Sequence, residues 1–308
     1  MGEAVDAQES QTVSSEIKKQ TVVGERIPQE EVSAIAVDFG SFYGLPSETI
    51  ERAKQAEAYY VDEDEFTQAY KEQVREDLMW AIETAKQHTA ETNSIEYSLL
   101  KRENQDLQRL KEHPEELEVL IAKIAGQIDS RTLGKSISKR DGKELIIIRK
   151  TVSPKNRKFI LEHEMLHVLS SSGFEGGTGF VYYDPLLGYL NNSLNEGTTQ
   201  AMLLHKRYPA ATMHRITDFL RKNPDFLYAD ETNKVLNVLN TTNLPGGIPF
   251  SIMDLSKHYF SQRTSMLVDK SQELIQNLEQ HALDRYKPLV RMDMETLALK
   301  DLPVMNNQ

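Results

Sequence analysis

The sequence predicts an α+β fold, predominantly helical, with one small β-sheet set between helical regions. Three observations carry this. Long stretches on both sides space apolar residues at three and four, the helical period. A single short span, "RTLGKSISKRDGKELIIIRK", reads as two strands joined at Asp141-Gly142, a dipeptide that suits a tight hairpin. Directly after it, "TVSPKNRKFILEHEMLHVLSSSG" carries apolar residues all round a helical cylinder, as an internal helix does.

In chain order, residues 1–30 are polar and show no apolar period, and they read as a flexible tail. Residues 31–127 form an acidic helical N-terminal region. In it "SETIERAKQAEAYY", "DEFTQAYKEQVREDLMWAIETAKQ" and "PEELEVLIAKIAGQI" are expected to be helices. Phe66, Tyr70, Val74, Leu78 and Ile82 make one stripe on the second, a core face. Residues 128–207 hold the hairpin, the internal helix and a following helix at "SLNEGTTQAMLLHKRY". The strand Glu144–Lys150 is apolar on consecutive positions, as a strand buried on both faces is. Ser153 is placed to cap the internal helix, Pro154 to begin it and Gly173 to end it. Residues 208–308 form a helical C-terminal subdomain whose last helix is expected over about 252–286, after a hinge or surface loop at Asn243–Phe250.

Composition narrows the function classes. The 308 residues are 39% hydrophobic and 27% charged, with a net charge of -11 and no cysteine. Thiolate-held metal is therefore excluded, and any transition metal must sit on histidine, carboxylate and water. The acid excess lies entirely within residues 1–127, whereas 128–158 is locally basic, with ten Lys/Arg against three acids. An acidic chain of this kind points away from nucleic acid. There is no signal-peptide core, and the longest aliphatic run, Leu145 to Ile148, is far too short for a bilayer. The expectation is a cytoplasmic protein with no membrane segment, although unconventional export leaves the same absence.

The chemistry concentrates in "HEMLH". Residues four apart on a helix are offset by about 40° and about 6 Å, so His163 and His167 can converge on one ion. Glu164, turned about 100° from His163, stands beside such an ion rather than on it, where it can move a proton. A catalytic zinc needs three protein ligands and one open position. Ser170 and Gly173 occupy the places where a metzincin carries its glycine and third histidine, so that extension is missing. "LNEG" on the next helix supplies Glu196. Its alternative role is structural: Ser193-Leu194-Asn195-Glu196 also fits a capping box. Asp184 and His205 are reserve ligands.

"HEMLH" followed by "LNEGTTQAM" resembles the gluzincin zinc metallopeptidases over about residues 140–205. The resemblance implies a zincin-like catalytic core in which His163, His167 and Glu196 ligate Zn2+ and Glu164 activates a zinc-bound water against a peptide or protein substrate. It also implies that the strand Glu144–Lys150 is the sheet edge along which an extended substrate lies. Gln200 stands where some gluzincins place an aspartate behind a zinc histidine; its amide oxygen can accept but carries no charge. Tyr182, Tyr183, Tyr189 and His214 are all candidates for stabilising the oxyanion. The alternative function is a zinc-binding regulatory or interaction protein that keeps the site without turnover.

Overall fold

A computed structural model of the protein describes residues 23–84, 107–126, 132–171, 179, 182–184, 188–190, 192–224, 226–242 and 251–261. Of the tail expected over 1–30, residues 1–22 lie outside the described residues. The remainder corrects that expectation, with a strand at Glu25–Arg26, Ile27 in the main core and a helix from Gln29. Ile27 supplies an apolar anchor that the polar composition hides. The loop at 243–250 and the last helix beyond residue 261 also lie outside the described residues.

Helices predominate around a small four-stranded mixed sheet of order β1-β2-β4-β3. Its strands are β1 (Glu25–Arg26), β2 (Glu57–Val61), β3 (Gly134–Ser138) and β4 (Glu144–Arg149). β3 and β4 form the expected antiparallel hairpin, and Gly142 turns it with a left-handed φ of 80°. β2 lies parallel to β4, in register from Glu57 against Leu145 to Val61 against Arg149. This corrects the helical reading of "SETIERAKQAEAYY": helix α2 stops at Ser47–Ala53, and the Ala-Tyr-Tyr-Val run becomes a strand. A second correction follows from the same pairing. β4 is flanked by β2 and β3, so it is an inner strand and not the edge. All six of its residues are buried, as its unbroken apolar run requires.

The two faces of β4 feed different cores. Leu145 and Ile147 pack with Val61, Phe66 and Ile137 beneath helix α3 (Glu63–Thr84). Ile146 and Ile148 enter the main core on the other face. That core is made by α1 (Gln29–Phe42), α5 (Pro154–Ser170), α6 (Asn192–Arg207), α7 (Met213–Lys222), α8 (Ala229–Thr242) and α9 (Ile252–Phe260). A separate helical core joins the rest of α3, through Tyr70, Val74, Leu78 and Ile82, to α4 (Pro114–Ala125). Phe66 thus belongs to the sheet and the remainder of its stripe to α4. Strands β5 (Tyr182–Asp184) and β6 (Gly188–Leu190) pair as a short antiparallel ribbon. No helix among the described residues is long and apolar enough to cross a membrane.

Every residue of α5 from Ile160 to Ser170 is buried. Each large apolar side chain among them contributes about 1.5–3 kcal/mol by leaving water, which fixes this helix in place. Pro154 begins it, and Ser153 is the N-cap residue, though its hydroxyl makes no capping bond. The helix ends at Ser171, in extended conformation, and Gly173 lies outside the described residues. The Arg52 guanidinium of α2 donates to the carbonyls of Val168 (3.2 Å) and Ser171, where helix ends favour a cation. Arg207 at the end of α6 clasps Glu162 of α5 at 2.6 and 2.8 Å. The two helices bearing the candidate ligands are therefore tied to each other and to the N-terminal region.

Candidate metal centre

The structure brings His163, His167 and Glu196 together. One ligating atom from each lies within 4.8 Å of the others, and all three side chains are buried. Nε2 of His163 is 2.9 Å from Oε2 of Glu196, Nε2 of His167 is 3.3 Å from the same oxygen, and the two Nε2 atoms are 3.3 Å apart. A tetrahedral ion with ligands at about 2.0–2.1 Å spaces those ligands about 3.3–3.4 Å apart. The observed triangle is close to one face of such a tetrahedron.

Outer partners fix which atoms face inward. Nδ1 of His163 is 3.0 Å from Oε1 of Gln200, so the imidazole donates there and keeps its Nε2 lone pair for the centre. Nδ1 of His167 lies 3.0 Å from the Tyr259 hydroxyl and 3.2 Å from the Asn195 side chain. Ser170 and Thr199 both spend their hydroxyl protons on backbone carbonyls, those of His167 and Asn195. Tyr259, which bonds both hydroxyls, donates its own proton to one of them. A lone pair of Tyr259 can then accept from Nδ1 of His167 in one tautomer, whereas the Nδ2 amide of Asn195 can only donate to it in the other. In either case a proton or a cation must stand between the Nε2 atoms and the Glu196 oxygen, because acceptors at such distances repel.

The electrostatics point the same way. Burial opposes charge on His163, but the Glu196 carboxylate outweighs it and holds the pKa above the usual histidine value. Burial would raise Glu196, yet the two histidines drive its carboxyl well below the ordinary range. Glu164 differs: burial pushes its pKa up, and the neighbouring histidines only partly offset that. It is a carboxylate beside the ligand triangle that holds its proton more tightly than an ordinary one.

Local sequence explains the approach of the elements. A Cβ on Gly134 of β3 would fall 2.6 Å from Cγ2 of Ile160 and 2.9 Å from both Cγ and Oε1 of Glu164. Glycine there lets the strand touch the Glu164 side chain. A Cβ on Gly197 would fall 2.5 Å from the Glu231 carbonyl, so this glycine lets α8 press against α6. The carboxylate of Glu196 points to the histidines, and its helix begins at Asn192, before the proposed capping serine.

Of the other sequence candidates, His205 stacks edge-on against Phe42 at 6.0 Å, on the last turn of α6 and away from the cluster. His214 is exposed and pairs with Asp218 at 3.4 Å. The side chains of Asp184, Tyr182, Tyr183 and Tyr189 lie outside the described residues. Sequence reasoning did not single out Tyr228. Its ring stacks on His163 at 5.1 Å and 22°, and burial together with the nearby carboxylates of Glu196 and Glu164 pushes its pKa up. It is the one non-glycine residue at positive φ among the described residues, 53°, a backbone strain of about 1–3 kcal/mol. No local pattern in "FLYADE" announces this role, because it arises from the docking of α8 on α6.

No family model, curated protein or solved structure matches this chain in comparison.

Proposed function

We propose that the protein is a zinc-dependent metallopeptidase of the gluzincin type, with a zincin-like core and Glu164 as its general base. The observation that carries this reading is the triangle of two Nε2 atoms and one carboxylate oxygen, spaced at 2.9–3.3 Å in a buried site. Two imidazoles and one carboxylate, without a thiolate, are one donor set that catalytic zinc uses. His163, His167 and Glu196 would hold the ion, which supplies Lewis-acid polarisation of a peptide carbonyl and of water. Glu164 accepts the proton of the attacking water and delivers it to the leaving amine, a transfer suited to its raised pKa.

The substrate strand in this reading is β3, which ends the sheet among the described residues and carries Gly134 against Glu164. An extended peptide can pair with such an edge. Lys135 and Lys139 on and beside β3 favour acidic peptides. The reading includes a cytoplasmic protein with no nucleic-acid or membrane partner, in keeping with its net charge of -11.

The uncharged Gln200 behind His163 supports a second reading, a zinc-binding regulatory protein without turnover. One comparison separates the two. Parent protein and Glu164→Gln are loaded with zinc and incubated with an unbiased peptide library. The peptidase reading expects equal zinc content, cleavage by the parent, and a loss of about 10²–10⁴-fold in the variant. A zinc-loaded parent that cleaves nothing favours the regulatory reading, and a parent that takes up no zinc ends both.

A further inference from the structure

We infer that Tyr259 is a positioning residue of the metal centre: its hydroxyl accepts the Nδ1 proton of His167 and so holds that imidazole in the tautomer that ligates through Nε2. The inference rests on the metal-binding reading above. It assigns a residue outside the His-Glu-x-x-His pattern and its glutamate, on a helix from another part of the chain.

A neutral imidazole bound to an ion through Nε2 must carry its proton on Nδ1. Two side chains reach that atom among the described residues, the Tyr259 hydroxyl at 3.0 Å and the Asn195 amide nitrogen at 3.2 Å. An amide nitrogen can only donate, so the hydroxyl is the one of the two that can receive the proton. The hydroxyl must then send its own proton elsewhere, and the structure offers a place. Thr199 Oγ1 is 2.7 Å away, and the Thr199 hydroxyl itself donates at 2.8 Å to the Asn195 carbonyl. A carbonyl can only accept, so it sets the direction of the whole relay. Protons point from His167 to Tyr259, on to Thr199, and finally to the backbone one residue before Glu196.

Packing holds the relay in place. Tyr259 is fully buried. Gly179, at φ 57°, presses on both neighbours of His167 Nδ1, since a Cβ there would overlap Oδ1 of Asn195 and Cε2 of Tyr259. The phenol oxygen therefore has no ready substitute from solvent. One hydrogen-bonded relay joins α5, α6 and α9, which makes α9 part of the metal centre. A ligand held in this way loses less freedom on binding a cation.

The test is zinc affinity, measured by competition with a chromophoric chelator. Tyr259→Phe keeps the ring and removes the hydroxyl, and it is expected to bind zinc about 10–100-fold more weakly. Adding Asn195→Asp to it places a carboxylate acceptor at the same Nδ1 and is expected to recover most of that loss. Parent-like affinity in Tyr259→Phe overturns the inference. A loss that Asn195→Asp does not recover also overturns it, because Tyr259 then acts by packing alone. Should Tyr259→Phe not fold, proton NMR of the zinc-loaded parent decides. A slowly exchanging His167 Nδ1 proton with a nuclear Overhauser effect to the Tyr259 ring is expected, and its absence refutes the assignment. A parent protein that binds no zinc refutes the metal reading itself, an outcome distinct from a parent and a Tyr259→Phe that bind equally well.

Discussion

Nδ1 of His163 stands 3.0 Å from Oε1 of Gln200, one turn beyond Glu196 on the same helix. An amide oxygen can only accept, so this contact selects the tautomer that leaves Nε2 free for a cation. Gln200→Leu is expected to weaken zinc binding by about 10–100-fold, with the helical content retained by circular dichroism. Gln200→Glu keeps an acceptor at that place and is expected to stay closer to the parent than Gln200→Leu in the same titration.

Gly134 sets the distance between the sheet and Glu164. Gly134→Ala introduces a Cβ where Ile160 and Glu164 already stand. The expected cost is about 1–3 kcal/mol of stability in urea unfolding. Displacement of Glu164 should lower peptide cleavage while zinc affinity is unchanged, because none of the three ligands is touched.

Glu144 is buried at the start of β4, where it accepts from Ser138 at 2.7 Å. Burial raises its pKa, and the bonds from Ser138 and Ser171 and the charge of Arg52 only partly offset this. The folded chain therefore holds the proton more tightly than the unfolded chain does. Glu144 adds stability as pH falls through its folded pKa toward the ordinary carboxyl range, and loses that contribution as pH rises. Glu144→Gln should be the less pH-sensitive protein when urea unfolding is compared at about pH 7 and about pH 5. Parent and Glu144→Gln curves with the same pH slope would count against this.

The N-terminal region supplies part of the main core through Ile27, Val32, Ala36, Phe39 and Ala58. It also supplies β2, the neighbour of β4. A chain beginning at residue 63 is expected to lose its cooperative thermal transition rather than to become a more active core, as calorimetry can show.

Metal removal should be visible as a loss of stability. Zinc at about 100 times its dissociation constant stabilises the native state by about 2.7 kcal/mol. Chelation should abolish that increment in the parent, and Glu196→Ala should show none to begin with.

Much of the site was legible because it is local. The two histidines and Glu164 share one helical turn, so their spacing brings them together. Glu196 and Gln200 on the next helix enter only through the resemblance to gluzincins, and the fold places both against His163. The α5 helix was legible from its all-round apolar surface, and the hairpin from Asp141-Gly142. β2 was not, because "AKQAEAYY" continues a helical period and only its parallel partner, far along the chain, makes it a strand. Mistaking β4 for an edge follows from missing β2. Tyr228 is hidden for a similar reason: its position depends on two helices meeting at Gly197, which no window of sequence contains.

The pairing of position 57 with position 145 has a consequence for biosynthesis. A ribosome delivers β2 after β1 but long before its parallel neighbour β4 exists, and non-local parallel pairing is slow to form. Until residues 144–149 emerge, the Tyr59–Tyr60–Val61 run can pair only along the edge that faces β1, and its other edge stays open to adhesion with other nascent chains. The helix carrying both histidines, and Glu196 after it, are synthesised only after that interval, so the candidate ligands can meet only once the strand that waits has its partner.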